Sequence, residues 1–543
     1  MTGPVFYFLS ALLLYMDFNS LLKNPVRILF IFLIIPVAFI SIMLIYSVPL
    51  SSDGVQYTDL GRSLFGKGIY DSSFGVAPGW LQPPVFVILV GAFCFIFPFE
   101  IAGYVVGILC SILILYLLFN FVRKELNLEI AIFCVILLTL NPLFLAVSLK
   151  VVAEPLYTII HFILFSVLYI IYKKNINPGF LHTVLISILF IVLYFTRPEA
   201  ILYFPIILFM LFKFSDYKKA LIYISITILC LSAYGFYTQS HTGKFNPFPK
   251  LSYNMRLGTV LSQYYNKHED QISNMDNMST VAWFAYDSEV KDLYSNKVMD
   301  SDYFRKLKGK IRQADDKNIV NSLFKRIIYN LVETVRTLIK SAPFPITFLL
   351  FILAGFYFAF RNNRQLLTAI IIWVFPAFYF MVSHVEERFF YVMLPYAALI
   401  AALGVWNLSQ KMEKFKFIPL LFFLIICFNF LPFYKYAIYA HPEVKAFYEL
   451  SSELKEKKIT KICSKNFHLA FYGEEDYLKL PACTPQELHS YMNINNTKYV
   501  IIGDEIKESH YQLNPVFRNE DPDFKLIQSY KLYNVEYRLF KIL

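Results

Sequence analysis

Charge is what this sequence has least of. Asp, Glu, Lys and Arg make up 16% of its 543 residues, while 57% are apolar. A soluble domain carries about 25% charged residues. The shortage is uneven: no charge falls within Ile28–Leu50, Ile101–Val122, Ile130–Leu149 or Phe389–Ser409. At about 1.5 Å per helical residue, each run reaches across a hydrocarbon core of about 30 Å. A soluble helix needs a polar face, so these runs exclude a soluble globular fold. Mean hydropathy, at +0.51, agrees.

Other absences narrow the function. No RNA- or DNA-binding signature accompanies the net charge of +11, so the excess reads as the loop bias of membrane proteins and no nucleic-acid partner is assigned. No Gly-rich phosphate loop is present, so no nucleotide is assigned. Of seven cysteines, Cys94, Cys110, Cys134, Cys230 and Cys427 lie in apolar runs and read as core residues. Cys463 and Cys483 share the tail, as a disulfide if it lies outside the cytoplasm or as two thiols. Val5–Tyr15 is too short to span, and Met16 is a plausible second start. The basic Lys23 and Arg27 follow that stretch, which argues against a cleaved signal.

The short loops are basic: Arg123-Lys124, Lys173-Lys174, Lys213 with Lys218-Lys219, Arg361 with Arg364, and Lys411 with Lys414 and Lys416. Placing them and Lys23/Arg27 inside predicts an all-α polytopic bundle of about eleven transmembrane helices. The expected spans are 27–50, 101–122, 129–148, 154–172, 179–196, 199–213, 218–237, 345–360, 366–383, 389–409 and 415–433. Counting Val85–Phe97 as a span would put the later basic loops outside, so it is expected as a re-entrant or interfacial helix. The N-terminus is then cytoplasmic in a multi-pass plasma-membrane protein. Residues 1–433 form the membrane domain, with outer loops 51–82 and 238–344, and 434–543 form a small α/β domain outside the membrane. Helical periodicity at Glu443–Lys457, a capping box at Thr484–Glu487 and strand-like runs at 498–502, 524–530 and 535–542 carry that last expectation.

The first outer loop holds the informative pattern. Asp53 stands just beyond the first span, followed by Tyr57, Leu64, Gly68 and Tyr70, and then by Pro83-Pro84 opening an apolar run. This pattern resembles the GT-C superfamily of membrane glycosyltransferases. It is most similar to the family 39 group of protein O-mannosyltransferases and aminoarabinose transferases. Three further places are similar: Glu154 in Ala153-Glu154-Pro155-Leu156, Arg197-Pro198, and Glu387 through Tyr391 with Pro395 and Gly404. Many relatives carry a second acid directly after the first, where this chain has Gly54.

The resemblance implies sugar transfer at the outer face from a polyprenyl-phosphate donor, since no nucleotide-sugar pool exists there. The acceptor is a protein, lipid or glycan hydroxyl, and membrane lipid surrounds the enzyme. The phosphate leaves without protonation, so one carboxylate base suffices, whereas a glycosidase normally needs two carboxyl groups. Asp53 is the expected base of an inverting displacement. Glu154 is expected as a supporting or acceptor-orienting acid. Arg388 and Arg197 are candidates for the phosphate, with Arg62 and Lys67 as rivals in the first loop and Tyr57 as a further substrate contact. Blander readings stand beside these: Arg197 as an interfacial anchor, Arg388 in a surface pair with Glu386 or Glu387, Tyr57 as an aromatic-belt residue. His384 beside Glu386 gives two ligands without a third, so no metal is assigned, although some relatives bind divalent ions. The main alternative is a lipid-linked oligosaccharide flippase or transporter. Against it, the charges gather at span ends rather than the midplane, and the sequence has no internal repeat.

Overall fold

The structure, a computed structural model, describes residues 50–73, 78–252, 254, 319–340, 346–381, 385–411 and, with short breaks, 442–543. The expected spans 27–50 (Leu50 excepted) and 415–433, most of 238–344, and His384, Cys427 and Cys483 lie outside these residues.

The helices in chain order are Ser52–Lys67 (α1), Pro84–Phe93 (α2), Phe99–Glu125 (α3), Leu128–Thr139 (α4), Pro142–Ser148 (α5), Glu154–Lys174 (α6), Phe180–Tyr194 (α7), Phe204–Phe214 (α8), Tyr217–Thr242 (α9), Ile319–Lys340 (α10), Ile346–Asn362 (α11), Arg364–Val374 (α12) and Leu394–Lys411 (α13). Among the described residues, four stretches are long and apolar enough to cross a membrane: Ile101–Glu125, Glu154–Lys174, Tyr217–Thr242 and Glu387–Gln410. A fifth is added if α4 and α5, bent by 65°, count as one span. The reason for the bend is local: the Asn141 side chain caps α5 by accepting from the N–H groups of Leu143 and Phe144, and Pro142 follows it. Other expected spans are shorter apolar helices, such as the 15-residue α7. The 10-residue α2 is about 15 Å long, too short to span, and lies against α1. There a Cβ on Gly61 would come within 2.9 Å of the Gly91 backbone.

Charge sorts along the bundle axis. Helices α3 and α6 both carry basic residues in their last turns, where Lys173 Nζ meets Glu125 Oε2 at 2.6 Å. Lys219, early in α9, joins that end through Asn177 at 2.8 Å. Glu154 opens α6 at the other end, about 30 Å away along the helix.

Helix α10 belongs to the stretch expected as an outer loop, yet it turns polar residues inward and apolar ones outward. Asn330 and Thr334 are buried against the bundle, Asn330 donating to the Phe380 carbonyl at 3.3 Å. Ile327, Ile328, Leu331, Val332 and Val335 form the exposed stripe. Such a face suits hydrocarbon rather than water.

The tail contains Pro442–Glu456 (α14), Lys461–Ser464 (β1), His468–Gly473 (α15), Asp476–Lys479 (β2), Pro485–Ile494 (α16), Tyr499–Gly503 (β3), Phe524–Leu532 (β4) and Val535–Ile542 (β5). The sheet order is β2-β1-β3-β5-β4, with β1 parallel to both neighbours and β5 antiparallel to β3 and β4. Thr484 and Glu487 form a capping box at the start of α16. The tail touches the membrane part through α15, whose Phe471 is fully buried in the bundle core and meets Phe99 edge-on at 5.6 Å.

Candidate active site

Asp53 does not sit in an open loop. It lies in the first turn of α1, whose N-cap, Ser51, accepts from the Gly54 N–H at 3.3 Å. Gly54 is pressed against α6's approach segment: a Cβ there would stand 3.0 Å from the Val151 Cβ. A side chain at this position would require Val151 to give way by a few tenths of an ångström.

The Asp53 carboxylate accepts from the Arg388 guanidinium, which arrives from the other half of the chain, 335 residues away. Arg388 is delivered by the 3-10 segment Glu387–Met393. Tyr391 pins that segment: its ring stacks on Phe144 at 5.4 Å, and its hydroxyl lies 3.1 Å from Ser111 Oγ and 3.2 Å from Ser148 Oγ. Burial would raise the Asp53 carboxyl. Arg388, by charge and hydrogen bond, and Lys250, by charge, hold it below its ordinary value of 3.8.

The charge network continues inward. Arg388 Nε bonds Glu386 at 2.5 Å and lies 3.6 Å from Glu154 Oε1, which also accepts from Arg197 at 2.6 Å. Arg197 then reaches Glu199 at 3.3 Å and the Tyr379 hydroxyl at 3.2 Å. Pro198 helps to aim it, because the residue before a proline favours extended backbone; Arg197 has φ −149° and ψ 125°. The Phe389 ring lies under both guanidiniums, 5.0 Å from Arg197 and 5.8 Å from Arg388. Exposure divides the network. The Asp53 and Arg388 side chains are each 32% exposed, whereas Glu154 is 7% and Glu199 4% exposed. Between them, Glu154, Tyr157, Arg197, Glu199, Tyr379, Arg388 and Phe389 line a small cleft of about 20 Å³.

Four of the expected residues, Asp53, Glu154, Arg197 and Arg388, thus converge. Tyr57 stands beside them: Asp53 and Glu154 act on its hydroxyl, which burial first and then these charges raise above its ordinary value. Its ring meets Phe86 edge-on at 4.9 Å. Arg62 and Lys67 do not join. Arg62 lies over Phe99 and bonds Glu474 of the tail at 3.3 Å. Lys67 is exposed in the last turn of α1, about 21 Å along the helix from Asp53. Sequence proximity misleads here, because a helix carries successive residues away from its start.

Glu199, Tyr379, Asn254 and Lys250 were not anticipated. Glu199, two residues after Arg197, was within reach of a sequence argument. Asn254 Nδ2 donates to Glu199 at 3.3 Å. Asp53 and Glu199 act on the Lys250 ammonium, which burial pushes below its ordinary value against their pull. Nothing local marks Lys250 among the other polar residues of its segment. Among the described residues, no group of three His, Cys, Asp or Glu is placed to hold a metal ion. The carboxylates of the cleft interleave with guanidiniums.

A model of the Alg9-like mannosyltransferase family matches residues 339–470, less than half of the chain but including Arg388. No curated protein matches by sequence. Among solved structures, the apo oligosaccharyltransferase of Archaeoglobus fulgidus aligns over 93% of this chain and 73% of its own, with 12% identity and a TM-score of 0.54. The same archaeon's AglB, in complex with an inhibitory peptide and a dolichol-phosphate, aligns over 94% and 74%, with 13% identity and a TM-score of 0.54. ArnT from Cupriavidus metallidurans bound to undecaprenyl phosphate aligns over 94% and 97%, with 11% identity and a TM-score of 0.44. At the identities of the archaeal structures, the likeness is one of fold.

Proposed function

We propose, from the GT-C membrane fold that this chain shares with the archaeal oligosaccharyltransferase, that it transfers a sugar from a polyprenyl phosphate to an acceptor hydroxyl. The reaction takes place at the outer membrane face. One observation carries the reading: a carboxylate and a guanidinium from opposite halves of the chain meet at the mouth of a charged cleft. The match to a mannosyltransferase family model supports glycosyl transfer. The dolichol-phosphate in the AglB complex supports a polyprenyl phosphate as carrier. The basic ends of α3 and α6, opposite Glu154, support a cleft on the side away from the cytoplasm.

In this reading the acceptor oxygen attacks the anomeric carbon from the face opposite the phosphate. The bond from that carbon to the phosphate oxygen breaks, and its electron pair leaves with the phosphate. Asp53 takes the hydroxyl proton, and the configuration inverts. The donor phosphate takes over guanidinium N–H groups that Asp53 holds in the free enzyme, which offsets the charge developing on the leaving group. Releasing Asp53 from Arg388 raises its proton affinity when a base is needed. Glu154, buried between two guanidiniums, aligns Arg197 and Arg388 instead of touching the acceptor. Arg62 and Lys67 play no part.

The test compares wild type with Asp53→Asn in detergent, measuring polyprenyl-phosphate release from a panel of radiolabelled polyprenyl-phosphate sugars, mannosyl carrier included. Cell-envelope extract supplies the acceptor. Acceptor-dependent release is expected in wild type, and a fall of about 100-fold or more in a variant that still binds donor. Release surviving in Asp53→Asn removes the proposed base. Transbilayer movement of lipid-linked sugar with no release from any donor replaces the transferase with a transporter.

A further inference from the structure

The segment that carries Asp53 is held from outside the membrane bundle. Leu50, three residues earlier and 1% exposed, has its backbone N–H and its C=O bonded to side chains of the tail. Its N–H donates to the Tyr472 hydroxyl at 2.7 Å, across 422 residues. Its carbonyl lies 3.1 Å from His468 Nε2, across 418 residues. Since a carbonyl only accepts, Nε2 carries the proton. Both side chains come from the short helix α15, one turn apart, and both are locked in place. His468 is 3% exposed and stacks on Phe447 at 5.8 Å, while Tyr472 meets Tyr448 edge-on at 5.2 Å. Burial pushes the His468 imidazole down to about 4, so it stays neutral at physiological pH.

We infer that His468 and Tyr472 are positioning residues for the transfer reaction. By fixing both hydrogen-bonding groups of Leu50, they set where α1 begins, and so where the Asp53 carboxylate stands against Arg388. The inference rests on the reading of Asp53 as the base. A backbone residue gripped on both sides cannot slide or rotate without breaking two buried bonds, and Ser51 then starts the helix from that fixed point. Backbone shifts of an ångström are known to cost catalysis about 100-fold. The folded tail is therefore a structural part of the reaction centre at its far side.

Two readouts test this on full-length protein. Hydrogen exchange at Leu50–Val55 reports the clamp whatever the reaction is. Tyr472→Phe and His468→Leu are expected to speed exchange there while the tail sheet stays protected. Steady-state kinetics report its consequence: kcat is expected to fall about tenfold in each variant, with the donor KM unchanged. His468→Gln, whose amide can donate to the Leu50 carbonyl, is expected to recover most of kcat. Glu474→Gln, which weakens the exposed pair with Arg62 at the same interface, is expected to stay within about twofold of wild type. Unchanged exchange overturns the clamp. Faster exchange with wild-type kcat overturns the positioning role, as does failure of His468→Gln to recover activity that His468→Leu lost. Full activity in Asp53→Asn instead fails the underlying reading and leaves the exchange result standing.

Discussion

Asp53 and Arg388 make opposing demands on one another. A carboxylate bound to a guanidinium stays ionised to lower pH but is only weakly basic, so the partner that keeps it ready also holds it back. Because its folded-state pKa is lowered from 3.8, the carboxylate stabilises the fold above that value. The contribution is lost as pH falls through the lower folded value. The melting temperature of wild type minus that of Asp53→Asn is therefore expected to shrink below about pH 4. In Arg388→Ala the burial contribution remains and its counterweight goes. The acid limb of residual kcat/KM is expected to move up by about one unit or more, read from a pH profile. A limb that stays put means that Arg388 does not tune Asp53. Asp53, Glu154, Arg197 and Arg388 were legible in the sequence because each lies at the end of an apolar run in a short motif that resembles the GT-C pattern. Lys250 and Tyr379 were not, since neither contrasts with its neighbours, and only folding brings them to the cleft.

Helices in hydrocarbon gain nothing from hiding apolar surface, so close contact has to come from small side chains. The crossing of α11 and α13 shows this. A Cβ on Gly355 would fall 1.8 Å from the Ile400 carbonyl oxygen, and one on Gly404 would fall 2.3 Å from that of Phe351. No rotamer relieves a clash with backbone. Gly355→Leu is expected to destabilise the protein by on the order of 3 kcal/mol and lower the monodisperse yield on size exclusion. Gly66→Ala, with nothing within 4 Å of the new Cβ, is expected to be neutral or slightly stabilising. Since α13 follows directly on the segment carrying Arg388, the wider crossing is also expected to reduce turnover in whatever protein survives. At this scale the sequence was partly readable. Runs without charge located apolar helices, and Asn141-Pro142 in one of them is the visible cause of a bend that hydropathy averages away. The inverted helix α10 was not readable, because its amphipathic pattern is the same whichever face turns inward.

For the whole molecule, charge sets the orientation proposed here. The basic ends of α3 and α6 lie together, while Asp53, Glu154 and the tail contact gather at the opposite end. In a variant whose native cysteines are replaced, Lys67→Cys is expected to react with a membrane-impermeant maleimide in intact cells. Lys174→Cys is expected to react only after permeabilisation. The reverse pattern inverts the topology and moves the cleft to the cytoplasmic side. The helical architecture was foreseeable because a membrane leaves few choices: long uncharged runs must be helices. The grip of the tail on Leu50 was not foreseeable, for it uses backbone groups that every residue possesses. The sheet adds a consequence for how such a protein is made. Strand β5 lies between β3 and β4, yet it is translated after both and after every helix described in the bundle. During synthesis the tail sheet stays open, with a gap where β5 belongs, while the membrane helices have already been inserted. On the reading proposed above, the contacts of the tail with Leu50 are thus completed late. A ribosome that stalls before β5 leaves a chain whose bundle helices are all made but whose tail sheet is still open.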